Sequence, residues 1–503
     1  MRVSATTAAR PAVPALAWLR ARVHIAWLQL AMLASVLAAL PFVTKVDPDY
    51  WWHWRTGELI VRDGFPAADP FSFTAAGKTW LTHEWLSEAV IYLVVQGAGY
   101  AAAALLFGGV TLAALALMYI LGRDEGAGTK TLVGLALVSA VVFASFVTVR
   151  PQAFTWLLFA AFVFVLDRHD RGERAPLWAL PPLMALWANL HLGFVYGVGV
   201  VGLWFLARAF ARWRGEPVDV RTPALLVAAC VAAATLNPDG PALLAYPVRY
   251  YFEGQVDRSL VDEWQRPDPL SPYHWPILAI PVLMALALAS RTRPRPFLWY
   301  LGAVTAVLSL LAVRNAPFAA LMLLPVVGGV AGRRWNWLSR QADSRTTVPV
   351  SWLPIAALST ALFVVVLNVS AGKSVSFLEP SERGYPEAGV AYLRKVLPGA
   401  RVFNEYSWGG YLDAKLYPDG RVFVDGRADF FGATILREYM TVMRADAGWE
   451  DILDRYGVDA VLLPKEAHLA RALREHPGWR EAFTGPVESV FLRREGAGSP
   501  QNP

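Results

Sequence analysis

Apolar runs long enough, or nearly long enough, to cross a bilayer recur from residue 24 to residue 369, and no other feature constrains the fold as strongly. They fall near 24–44, 100–121, 131–149, 151–167, 176–190, 193–211, 222–236, 275–290, 297–313, 317–331 and 351–369. Proline interrupts several of them (Pro181, Pro182, Pro281, Pro325); inside a bundle, neighbouring helices satisfy the backbone groups that proline frees. Composition points the same way. Hydrophobic residues make up 55% of the 503 and charged residues 17%, where a soluble protein carries about 25% charge; mean hydropathy is +0.37. The fold class expected is a polytopic α-helical membrane bundle of about 11 spans.

Loop charge orients these spans. DRHDRGER, ARWRGEP, SRTRPRP and GRRWNWLSR are Arg-rich and read as cytoplasmic. The segments around Arg150, His191, 237–275 and Arg314 then fall outside. The basic N-terminus, 1–23, runs into the first span without a small-residue cleavage site, so it reads as cytoplasmic and uncleaved. Eleven spans from that start put the C-terminal region outside. The stretch EWLSEAVIYLVVQGAG from Glu84 is short and holds Glu88. Counted as a crossing it would invert every later loop, so it is expected to be an interfacial or partly inserted helix. A multi-pass inner-membrane protein follows. Its net charge of +6 is placed as loop charge between spans, which excludes a nucleic-acid partner. Cys230 is the sole cysteine, so no internal disulfide and no cysteine metal cluster can form.

The composition changes near Ser370. Short strands (RVFNEY, RVFVDG, VDAVLLP, ESVFLRR) alternate with helical patterns (PEAGVAYLRKV, TILREYMTVMRA, HLARALREH), which predicts an extracytoplasmic α/β domain over 370–494 with a partly parallel sheet. The membrane domain is expected over 24–369, with a large first outer loop at 45–84, and the tail 495–503 is expected to be disordered.

Ionisable groups near membrane depth are costly and mark a site. The first outer loop opens with VDPDYWWHWRTGELI and carries Asp47, Asp49, His53, His83 and Glu84. In a helix Asp49 and His53 lie one turn apart on one face. Later outer segments add Arg150, His191, Glu263, Trp264 and Arg314. Two membrane-proximal Arg suit a phosphate, and a carboxylate beside them can take a proton from an attacking hydroxyl or amine. Each residue also has a plain structural reading. Asp47 and Asp49 are candidate N-caps, the Trp residues candidate interface anchors, Arg150 and Arg314 snorkelling cations, and Glu263 a loop cap. His53 and His83 are equally suited to hydrogen bonds within the loop. The His and carboxylate spacing matches no standard ligand motif, so a divalent metal is possible but not expected. In the C-terminal region VDGRADF offers Asp425, Arg427 and Asp429 at a probable strand end, either as a ligand site or as a turn with caps.

The order of these parts resembles the GT-C superfamily of polyprenyl-phosphate-dependent glycosyltransferases. The likeness rests on DPDYWWHWRTG, DPFSFT, WLTHEWLSE, RPQ, NLHLG, NPDG, EWQRP, RNAP, WGGYL and VDGRAD, and is nearest to uncharacterised bacterial members carrying such motifs. The resemblance implies transfer of a sugar from a polyprenyl-phosphate donor in the bilayer to a glycan, lipid or protein acceptor outside. It also implies that the first-loop Asp, acting as base or as a metal and acceptor contact, is Asp49 or Asp47. Arg150 and Arg314 are donor-phosphate candidates by location alone. No clear counterpart of the WWD-type acceptor-reading motif is present, which argues against oligosaccharyltransferase activity. A GT-C-fold protein that has lost catalysis and assembles envelope glycans is the alternative. A transporter ranks last, because the inner parts of the spans are almost free of charge.

Overall fold

The structure is a computed structural model describing residues 21–25, 27–32, 34–35, 46–252, 261–292, 295–339, 347–370, 380 and 382–494. Most of the span expected at 24–44, and the tail expected to be disordered at 495–503, lie outside the described residues. The chain is mostly helical, with a sheet domain at its C-terminus. Among the described residues, three helical stretches are long and apolar enough to cross a membrane: Trp85–Asp124, Phe194–Trp213 and Val313–Arg334. Shorter apolar helices occupy most of the other expected spans, several of them opened or interrupted by proline.

Helix α1 (Pro48–Asp63) starts where the sequence places both a cap and a proline. Asp47 accepts the Asp49 backbone N–H at 2.9 Å, and Pro48 sits in the first turn, where its missing N–H costs nothing. Helix α2 (Trp85–Asp124) is broken at Gly99, whose φ of 79° and ψ of 171° are non-helical. The stretch from Glu84 expected as an interfacial or partly inserted helix forms the part of α2 that precedes this break. α1 lies on the start of α2 through Gly57, where an added Cβ would sit 2.0 Å from the Glu88 carbonyl oxygen. Gly57→Ala is expected to cost about 1–3 kcal/mol through overpacking, read as a lower melting temperature in detergent; an unchanged melting curve would contradict this packing.

Helices α3 (Gln152–Asp170), α4 (Phe194–Trp213) and α6 (Ala316–Leu323) start beside the same cavity as α2; α5 (Ala242–Phe252) lies between α4 and α6 in the chain. The Arg-rich segments meet at their far ends in an ion-pair lattice. Glu125 accepts from Arg171 and Arg333 at 2.6 Å each, Asp170 from Arg208 at 2.6 Å, and Asp124 from Arg168 at 2.5 Å. At the near ends, the N-termini of α2, α3, α4 and α6 converge on one cavity.

The C-terminal sheet orders its strands β2 (Gly420–Val422), β1 (Ala400–Asn404), β3 (Ala460–Pro464), β5 (Glu488–Arg493) and β4 (Trp479–Thr484). β2, β1 and β3 are parallel, and the β4–β5 hairpin is antiparallel. Helices α7 (Glu387–Val396), α8 (Gly409–Lys415), α9 (Ala428–Met443), α10 (Trp449–Arg455) and α11 (His468–Glu475) surround it. The first outer loop joins the β2 edge: Val422 N–H donates to the Phe71 carbonyl at 3.1 Å, and Phe73 N–H to the Val422 carbonyl at 3.2 Å. Loop residues Trp52, Phe71 and Trp80 share a core with Phe403 and Phe423.

Candidate active site

A cavity of about 470 Å³ opens where α1, the four helix N-termini and the C-terminal domain meet. Asp47, Asp49, His53, His83, Glu84, Arg150, His191, Glu263, Trp264, Arg314, Arg427 and Asp429 all line it. Asp425 stands behind this wall, fully buried.

The two Asp of the DPD motif divide their tasks. Asp47 caps α1, whereas Asp49 projects from the first turn to the Arg150 guanidinium at 2.7 Å. Arg150 also reaches Glu263 at 2.9 Å and Asp47 at 3.6 Å, so three carboxylates hold it. Burial is the largest influence on Asp49. Arg150 opposes it, Asp47 and Glu263 reinforce it, and the carboxyl is pushed up to about 7. Arg150 instead holds Glu263 below the usual carboxylate range, against the effect of burial. Arg314 lies over the Trp264 ring at 4.2 Å, and Val313 N–H donates to the Gln265 carbonyl at 2.9 Å. The EWQ and RN segments therefore form one wall.

His53 does not turn to Asp49. Its Nδ1 lies 3.3 Å from Glu88 and its Nε2 3.7 Å from Glu84, because the ring points toward α2 rather than along α1. Burial, reinforced by Arg150, holds its pKa well below the ordinary value. His191 is fixed in one tautomer. Its Nδ1 accepts the Gly193 N–H at 2.9 Å, leaving the proton on Nε2, which faces Glu84 at 3.2 Å. Burial raises the pKa of Glu84 itself. His83 reaches the same carboxylate at 3.7 Å and packs at 5.3 Å from the Tyr246 ring, whose hydroxyl donates to Asp429.

His53, Glu84 and Glu88 bring ligand atoms within 4.8 Å of one another. One Glu88 oxygen is buried without a partner, so this imidazole and carboxylate set could hold a divalent ion. Glu88 and Tyr246 were not singled out as site residues from the sequence. The i,i+4 spacing of Glu84 and Glu88 in HEWLSE was the available signal for Glu88. Tyr246 sits in an apolar helix and offered none.

Asp425 and Arg427 are engaged with each other. Arg427 donates to both Asp425 oxygens, at 2.9 and 2.5 Å, and to Asp69 of the first loop at 2.9 Å. Its guanidinium lies 4.5 Å from the Trp80 ring. This pair fastens the loop to the C-terminal domain, while Asp429 faces the cavity. VDGRAD follows shortly after β2 ends at Val422, where Asn404 at the end of β1 accepts the Phe423 N–H at 3.0 Å and donates to the Val424 carbonyl at 2.9 Å.

No protein family and no curated protein matches the sequence. Solved structures do match. The chain is similar to the mycobacterial arabinofuranosyltransferase AftD, with 16% identity over 94% of this chain and 40% of that one, at a TM-score of 0.52. It is similar to the Archaeoglobus fulgidus oligosaccharyltransferase, with 12% identity over 88% and 70% of the two chains and a TM-score of 0.56. It is also similar to ArnT from Cupriavidus metallidurans bound to undecaprenyl phosphate, with 13% identity over 95% and 100% and a TM-score of 0.51. The fold is GT-C-like. At these identities the likeness is one of fold, and the chain spans less than half the length of AftD.

Proposed function

We propose that the chain is an integral membrane glycosyltransferase that moves a sugar from a polyprenyl-phosphate donor to an extracytoplasmic acceptor. The observation that carries this reading is the meeting of Asp49, Arg150 and Arg314 in one cavity at four helix N-termini. The ends of α2, α3, α4 and α6 place positive dipole ends there, and with the two Arg they favour an anionic phosphate. ArnT, one of the similar structures, binds undecaprenyl phosphate. That supports a lipid-phosphate carrier here.

The acceptor hydroxyl or amine gives its proton to the Asp49 carboxylate and attacks the anomeric carbon. The bond to the lipid phosphate breaks, and the phosphate leaves as a stable anion. Arg150 loses a charged partner as Asp49 becomes protonated, and the departing phosphate replaces it. No general acid is required, because phosphate needs no proton to leave. Among the described residues, buried charges gather at the helix ends rather than at mid-span, which favours one-sided chemistry over transport.

Reconstituted protein supplied with a panel of polyprenyl-monophosphate sugars should transfer one of them and release free polyprenyl phosphate; no release from any donor would count against the reading. The base works when deprotonated, so transfer should rise with pH through a midpoint near 7, the value to which Asp49 is pushed. A midpoint near 4 would mean a solvated carboxylate instead. For orientation, Cys230→Ser combined with Asp419→Cys should react with an impermeant thiol reagent in intact cells, since Asp419 is 40% exposed on the C-terminal domain. Protection there would reverse the topology.

A further inference from the structure

The VDGRAD segment leaves one residue without an evident task. Asp425 and Arg427 lock each other through three hydrogen bonds, two from the guanidinium and one of 2.9 Å from the Arg427 backbone N–H. Asp69 ties the same guanidinium to the first loop, and its own oxygens accept the Phe71 and Ser72 N–H groups at 3.2 and 3.0 Å. Both flanks of Gly426 are therefore fixed, with Asp425 0% and Arg427 3% exposed. Gly426 has no left-handed φ, so its backbone would suit any residue.

Space is what excludes other residues. A Cβ on Gly426 would lie 1.9 Å from Asp49 Oδ1 and 3.0 Å from its Cγ. The neighbouring WGGYL motif meets the same helix start, since a Cβ on Gly410 would lie 2.6 Å from the Pro48 carbonyl oxygen. The C-terminal domain thus presses bare backbone against the first turn of α1, on the side of the Asp49 carboxylate that does not face Arg150.

We propose that Gly426 is a positioning residue: clamped between Asp425 and Arg427, its backbone is the wall that sets the Asp49 carboxylate for proton transfer. This rests on the reading of Asp49 as the base. The C-terminal domain is then part of the catalytic apparatus through its main chain, with Asp425 and Arg427 serving as the brace. A displacement of about 1 Å in a reacting group can cost on the order of 100-fold in rate, and a methyl group at 1.9 Å forces a shift of at least that order.

The test is a double-mutant cycle on Gly426→Ala and Asp49→Ala, read by thermal stability in detergent and independent of any assay of transfer. Gly426→Ala should lower the melting temperature in the native background and leave it nearly unchanged in the Asp49→Ala background, where the obstructing carboxylate is gone. Equal losses in both backgrounds would overturn the proposal. If Gly426→Ala alone does not fold, the double variant still should, and failure of both would also overturn it. In the transfer assay, Gly426→Ala should lose about 100-fold in kcat with acceptor KM within about twofold, and its pH midpoint should fall as the carboxyl moves toward cavity water. An unaltered kcat and pH midpoint would overturn the positioning role. Stability coupling together with full transfer by Asp49→Asn would leave the contact standing and remove the catalytic reading instead.

Discussion

Asp49→Asn should fold, insert and bind its lipid donor, yet lose transfer by about 10²–10⁴-fold, the range that positioned acid–base groups contribute. The substitution is nearly isosteric, and it removes the proton acceptor without emptying the space beside Gly426. Arg150 keeps Glu263 at 2.9 Å and Asp47 at 3.6 Å, so it is not left buried without a counter-charge. Burial already pushes the Asp49 carboxyl up to about 7, and a neutral amide therefore costs the fold little. Full activity in this variant would end the assignment of Asp49 as base and favour a GT-C-fold protein that binds glycans without turning them over. The comparison needs a membrane-extraction control, because loss of activity counts only if the variant elutes and melts as the native chain does.

The largest expected effect on stability comes from Arg427→Ala. Asp425 and Asp69 are 0% and 4% exposed, and Arg427 is the cation that both contact. Removing one partner of a buried ion pair costs about 3–5 kcal/mol, because the remaining charge cannot return to water. Asp413 sharpens the effect: it is buried nearby, and burial together with Asp425 raises its pKa well above the usual carboxylate range. The variant should show early unfolding of the C-terminal domain and faster proteolysis of the first loop, which is fastened through Asp69. Arg427→Lys should recover only part of the loss, since an ammonium cannot match the two-oxygen contact with Asp425. A native melting curve for Arg427→Ala would show that the clamp carries no stability.

Much of this arrangement was legible in the sequence. The apolar runs predicted a helical bundle, and the strands RVFNEY, VDAVLLP and ESVFLRR were placed because each is a short, strongly apolar run. The strand Trp479–Thr484 was missed: WREAFT pairs on one side only, exposes Arg480 and Glu481, and carries no clear alternation. The polar residues that converge on the cavity were identifiable because charge near a membrane is costly, which makes each one conspicuous. Their pairing was not identifiable. Helical spacing put Asp49 and His53 on one face, but partners on α2 and in the turn before α3 decide where each side chain points. Asp49 goes to Arg150, and His53 goes to Glu88. The roles of Gly57 and Gly426 were hidden for the same reason, since a glycine chosen for close approach is visible only when the opposing chain is in place.

The most direct test of the central claim is a cryo-EM reconstruction of the protein with undecaprenyl phosphate. Phosphate density is expected in the cavity within hydrogen-bond reach of Arg150 or Arg314, with the isoprenoid leaving toward the bilayer. Lipid-phosphate density confined to the opposite end, beside the lattice of Glu125, Arg171 and Arg333, would contradict it.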